Sequence, residues 1–145
     1  MFKSLSHDPL ADFIPMSMVA TFGFALLVGP KVPTTVGRLP DFIEWCKANP
    51  AMADCGNAGA GSLLHLIAVL LGQDAAVPFT HVPYKGTSAA LQDLAGGQLS
   101  AVMRTEASAM PMLQSGRVRA LATTWDAMSP FLQNVPTFKE SGLVG

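Results

Sequence analysis

Two short stretches carry residue types able to hold a charged small molecule. The first, Cys55-Gly56-Asn57-Ala58-Gly59-Ala60-Gly61-Ser62-Leu63-Leu64-His65-Leu66, runs from an apolar segment through a glycine-bearing turn into a helix. The second, Phe79-Thr80-His81-Val82-Pro83-Tyr84-Lys85-Gly86, repeats the device and continues into Thr87 and Ser88. The first N–H groups of a helix lack intrahelical partners, and the helix dipole adds about half a positive charge there, so such turns receive anions. Two of them side by side make a carboxylate site. Tyr84 to Ser88 add an aromatic face, a cation, a glycine and hydroxyls at one helix start, which suits an anionic organic ligand and equally describes an ordinary capped turn with an exposed lysine.

Other chemistries fail on spacing. A dinucleotide fingerprint wants a third small residue where Leu64 stands, and no Gly-Lys-Ser/Thr run exists for a phosphate loop. Ser62 and His65 do not form a nucleophile elbow, because Ala60 and Leu64 occupy the positions two before and two after the serine. Ser62 reads instead as an N-cap whose hydroxyl can still touch a ligand. His7, His65 and His81 show no metal-ligand spacing, and the latter two read as hydrogen-bonded rings packed against the sheet. No nucleophile, base and orienting acid fall together, so neither an enzyme nor a cofactor or metal is expected.

These turns need elements to hold them. Residues 19–28 read as one extended segment with a break at Gly23. Leu39, Phe42, Ile43 and Cys46 recur at i, i+3, i+4, i+7, the stripe of a helix that opens at Pro40 and stops near Asn49-Pro50. Strand and helix then alternate: strands near 53–56, 77–82, 99–103 and 117–124, with helices over 61–71, 87–95 and 107–115. This alternation predicts parallel pairing and an α/β sandwich. The tail, punctuated by Ser129-Pro130 and Val135-Pro136, reads as a loop.

Composition narrows the partners. Of 145 residues half are hydrophobic and only 13% are charged, about half the usual charged fraction, which predicts that an apolar face is covered by another subunit or a missing piece. A net charge of −1 with scattered basic residues gives no footprint for nucleic acid. The apolar run 16–29 is shorter than the roughly 18 to 20 residues that span a bilayer. Asp8, Asp12 and Pro15 precede it instead of basic residues, so it does not read as a signal peptide. Cys46 and Cys55 read as buried free thiols.

Seven motifs occur in order: Asp8-Pro9-x-x-Asp12-Phe13, Ala48-Asn49-Pro50, Gly56-x-Ala58-Gly59-x-Gly61-Ser62-x-x-His65-Leu66, His81-Val82-Pro83-Tyr84-Lys85-Gly86, Asp93-Leu94-x-Gly96-Gly97-Gln98, Gly116-x-Val118-Arg119-Ala120-Leu121-Ala122 and Val135-Pro136-Thr137. In these the chain resembles the Bug or TctC family, the extracytoplasmic solute receptors of tripartite tricarboxylate transporters. The resemblance implies a type II periplasmic binding protein fold, in which two α/β domains joined by crossover strands close on a carboxylate and hand it to membrane transporter subunits. It covers the second domain only: a mostly parallel α/β sandwich at 30–116, a lead-in and first crossover strand at 1–29, and a return crossover strand with a tail at 117–145.

On this chain the implied ligand contacts fall on Gly61 and Ser62, on Gly86, Thr87 and Ser88, and on Arg104 and Thr105, beside Tyr84. Family members usually carry an acidic residue at the position of Arg104, a polar one near Leu63 and Leu64, and charges around Val69 and Gly72. The last change makes the 61–71 helix apolar all round, the mark of a buried helix. It predicts a homodimer or higher oligomer. The expected function is binding of small organic carboxylates by a receptor fragment, periplasmic by resemblance and cytoplasmic if expressed as written. The alternative is a truncated domain acting as a self-associating module.

Overall fold

The computed structural model describes residues 6–143 except Pro9; the first five residues of the lead-in, Pro9 of the first motif and the last two residues of the tail lie outside the described residues. Five strands, β1 (Phe24–Val28), β2 (Asp54–Asn57), β3 (Thr80–Pro83), β4 (Ala101–Thr105) and β5 (Arg119–Thr123), form one sheet in the order β3-β2-β4-β1-β5. Among the described residues four α-helices, α1 (Leu39–Ala48), α2 (Leu63–Asp74), α3 (Thr87–Ala95) and α4 (Glu106–Gln114), and one 3-10 turn at Pro50–Met52 accompany them. β2 pairs in parallel with β3 and β4, while β1 runs antiparallel between β4 and β5. Four of the five strands therefore point one way, and the sheet is mostly parallel as expected.

The order of connection decides which face each helix covers. β2 to β3 steps one way across the sheet and β3 to β4 steps back past β2, so crossovers of one hand put α2 and α3 on opposite faces. Ala68 and Leu71 of α2 accordingly pack with Leu26, Val28, Ala101 and Met103. Ala90, Leu91 and Leu94 of α3 pack with Ala25, Leu27 and Val102. α1 joins the first face through the predicted stripe Leu39, Phe42, Ile43 and Cys46, and Phe42 stacks on Phe79 at 6.1 Å. Ala109 of α4 joins the second. Cys46 and Cys55 are buried free thiols, and desolvation pushes both up to about 12, so neither is a reactive thiolate.

Three expectations shift. The extended segment at 19–28 is a strand only from Phe24, whose partner Thr105 is the last residue of β4. Beyond it α4 begins, so residues 19–23 find no ladder to join. The chain before Gly23 is exposed, with Ile14 at 89% and Met16 at 96%. The break falls at Gly23 because the Trp125 indole lies on it: a Cβ there would sit 1.9 Å from Trp125 Nε1. Second, α2 turns a different set of residues outward from the body of this single chain than expected. Its exposed positions include the apolar Leu63 and Leu70, more than half exposed, beside Gln73 and Asp74. Gly72 faces inward, where an added Cβ would meet Val77 O at 2.9 Å and the Phe79 ring at 3.1 Å. Third, the tail is not a plain loop. Thr137 bridges Thr123 in parallel, and Thr137 and Glu140 exchange side-chain to main-chain bonds at 2.8 and 3.0 Å in the pattern of a capping box.

Candidate functional site

The carboxyl ends of β3, β2 and β4 lie side by side, and each runs within a few residues into the start of a helix. With strands about 4.8 Å apart, three helix N-termini share roughly 10 Å of sheet edge. In open α/β sheets ligands bind in the crevice outside these strand ends. At the opposite edge, Lys31 and Asp54 form an ion pair, and Asp54 also accepts the Ser100 N–H at 2.6 Å.

Between β2 and α2 the chain turns through Gly59 and Gly61, at φ +87° and +78°. Nothing lies within 4 Å of a Cβ built at either. Glycine is used there for its left-handed backbone and not for lack of room. Ser62 caps α2, its Oγ accepting the His65 N–H at 3.2 Å. His65 Nδ1 in turn accepts the Gly61 N–H at 2.9 Å. The N–H groups of Leu63 and Leu64 have no partner among the described residues.

Gly86 caps α3 with extended backbone and no side-chain bond. A Cβ there would meet nothing within 4 Å, so the entrance to Thr87 and Ser88 is open. Tyr84 stands beside it with its hydroxyl committed, donating to Asp93 Oδ2 at 2.7 Å. Burial, then this bond, pushes the phenol up to about 12. What Tyr84 can offer a ligand is its ring.

β4 brings Arg104 and Thr105. Thr105 is the N-cap position of α4, but its hydroxyl bonds to Ser108 Oγ and leaves the helix start without a side-chain cap. Arg104 alternates with Met103 and so shares the face of Val102, opposite Ala25 of β1. Its Nε and NH1 are buried without a hydrogen-bond partner among the described residues. Burial holds this guanidinium below its ordinary value.

Sequence reasoning missed Glu106, the first residue of α4 and only 1% exposed. Its Oε2 accepts from Trp125 Nε1 at 3.1 Å and from the Ser129 hydroxyl, while Oε1 has no partner. Its own N–H donates to Gly23 O at 3.1 Å. One residue thus ties the chain entering the sheet to the chain leaving it, next to Thr105. Asn57, buried at the end of β2, was missed too. Its Nδ2 donates to Cys55 O at 3.0 Å and meets His81 Nδ1 at 3.1 Å, and its main-chain carbonyl accepts the Tyr84 N–H at 2.8 Å. An acid in a first helical turn and an asparagine before a glycine turn look ordinary in sequence, so no signal separated them.

The eight predicted positions Gly61, Ser62, Tyr84, Gly86, Thr87, Ser88, Arg104 and Thr105 therefore gather along one edge. No cluster of three or more metal-ligating side chains occurs among the described residues. A depression of about 370 Å³, lined by Ile67, Leu70, Trp125 and Phe138 among others, lies between α2 and the segment after β5 and includes none of the eight. An edge open to solvent has no second wall, so a concave site is not expected there from one domain.

Comparison with known proteins identifies the family. The family model described as the tripartite tricarboxylate transporter family receptor matches residues 1–145. The chain is 34% identical over 139 residues to the UPF0065 protein in the gbd 5' region of Cupriavidus necator, covering 96% of this chain and 42% of that protein. It superposes on the structure of R. palustris Rpa4515 with adipate with a TM-score of 0.85 at 31% identity, over 99% of this chain and 48% of that one. On MatC from Rhodopseudomonas palustris with bound malate the TM-score is 0.76 at 29% identity, over 84% and 41%. The chain thus spans less than half the length of these relatives. Proteins of this kind are periplasmic solute-binding proteins and not enzymes. The chain belongs to the tripartite tricarboxylate transporter receptor family.

Proposed function

We propose that this chain supplies one half of a solute-binding cleft and holds small organic carboxylates at the carboxyl edge of β2, β3 and β4. The observation that carries the reading is the convergence of three helix N-termini on that edge, with α3 and α4 lacking side-chain caps and α2 keeping free N–H groups. Ser62, Thr87, Ser88 and Thr105 add hydroxyls, Tyr84 a ring face and Arg104 a cation lacking a partner. The relatives named with malate and adipate support the solute class. Binding by helix dipoles, delivery to membrane transporter subunits and a periplasmic location belong to the same proposal. For the contacts that this half of a cleft supplies, dissociation constants on the order of 1 mM are expected. Thermal-shift and calorimetric titration of the full chain with malate, adipate and uncharged analogues tests it. Carboxylates should raise the melting temperature as their concentration passes the dissociation constant, and no response to any carboxylate would remove the reading.

A second reading, self-association, draws support from Leu63 and Leu70, 59% and 55% exposed at i and i+7 on α2. This stripe suits a second copy. Light scattering at micromolar chain concentration should then give a dimer or larger species that Leu70→Glu dissociates. A wild-type monomer would refute it.

A further inference from the structure

His65 stands where a capping box ordinarily has glutamate or glutamine, three residues after the N-cap. The return bond is displaced by one residue: Ser62 Oγ accepts the His65 N–H, but His65 Nδ1 accepts the N–H of Gly61, the residue before the N-cap. Since Gly61 can only donate, Nδ1 must be bare and the ring proton must sit on Nε2. His81 of β3 is held the same way. Asn57 Nδ2 donates to Cys55 O, which fixes the orientation of the amide, and the same nitrogen faces His81 Nδ1. The two rings meet edge to face with centroids 4.8 Å apart. Each imidazole is therefore locked as an uncharged acceptor, and each is the other's titratable neighbour.

An acidic residue would hold Gly61 equally well but would place a negative charge beside helix starts arranged for an anion. A neutral ring holds the turn without that repulsion. It also makes the hold conditional, because a proton on Nδ1 turns the acceptor into a donor facing a donor.

We infer that His65 is the positioning residue of the β2–α2 turn, latching Gly61 only while its ring is neutral, so that protonation of the His65–His81 pair releases the turn and weakens carboxylate binding. The consequence for binding rests on the function proposed above; the latch itself does not. Burial first, then His65, holds His81 below the ordinary imidazole range, so the folded chain resists the first proton there. As pH falls through the ordinary imidazole value the unfolded chain takes up that proton first, and stability falls. No carboxylate pairs with either ring among the described residues, and the charged groups at the neighbouring strand ends and helix starts are Lys85, Arg104 and the buried Glu106.

The test is heteronuclear NMR on the full chain. A ¹⁵N–¹⁵N coupling through the hydrogen bond between the Gly61 amide and His65 Nδ1 is expected at pH 8, with the Nε2–H tautomer, and should vanish at pH 5 while the fold persists. Absence of the coupling at pH 8, the Nδ1–H tautomer, or persistence of the coupling at pH 5 would each overturn the latch. For binding, malate titrations of wild type and His65→Gln are compared at both pH values, the solute's own titration being common to the two chains. Wild type should lose about ten-fold more affinity on acidification than His65→Gln; equal losses would overturn the coupling. If malate and adipate fail to perturb the wild-type spectrum at pH 8, the solute-receptor reading fails, and the coupling still decides the latch.

Discussion

Arg104→Met should raise the stability of the free protein and lower its carboxylate affinity in the same step. The guanidinium has Nε and NH1 buried with no partner among the described residues, and burial already holds it below its ordinary value. An unsatisfied buried donor costs about 1–3 kcal/mol, and methionine keeps most of the side chain's packing volume without the charge. A gain of about 1 kcal/mol is expected, read as a rise of about 2–4 °C in a domain of this size. In the bound state the same group has an anion to meet. Losing a hydrogen bond to a charged group, about 1.5–3 kcal/mol, weakens malate or adipate binding roughly 10- to 100-fold. Opposite signs in one variant distinguish a ligand-binding arginine from a structural one. A chain destabilised by the substitution, with affinity unchanged, would place Arg104 among the structural groups.

Glu106→Ala is expected to be among the most damaging substitutions at this edge, at about 3 kcal/mol. Its Oε2 is the acceptor for Trp125 Nε1–H and the Ser129 hydroxyl. Ser129 Oγ also accepts the N–H groups of Phe131 and Leu132 at 3.1 Å each. Removing the carboxylate leaves two buried donors unpaired and a void beneath the indole, each a penalty of order 1 kcal/mol or more. Glu106→Gln keeps an acceptor of nearly the same shape and should cost less, about 1 kcal/mol. Urea unfolding gives the size of the effect, and a red shift of tryptophan emission in folded Glu106→Ala reports the exposure of Trp125. Equal stability of the alanine variant and wild type would contradict the tie between the two chain crossings.

Much of this was legible from short stretches. The stripe of α1 and the bounds of α3 follow from residues within two turns of one another, and α3 occupies Thr87–Ala95 as predicted. The glycines at 59 and 61 and the cap at Ser62 could also be read, because a positive φ and an N-cap are decided by nearest neighbours. Strand bounds were less secure. Whether residues 19–23 extend β1 depends on where β4 stops, and that is set more than 80 positions away. The facing of α2 went wrong at Gly72 because a helix apolar on every side has no pattern from which to read its inner face; Phe79 and Val77 decide it.

The sequence by itself thus determined the helices, the turns and the anion-receiving character of each helix start, since these arise from torsions and hydrogen bonds spanning four or five residues. Only the tertiary structure decided that three such starts share one edge, because the order β3-β2-β4 is a matter of long-range pairing. The same long-range packing brings His65 against His81, leaves Arg104 without a partner and binds Glu106 to Trp125 and Ser129. Side chains 16 to 23 residues apart meet only where strand register and helix packing set their distance, and neither is encoded in any local window.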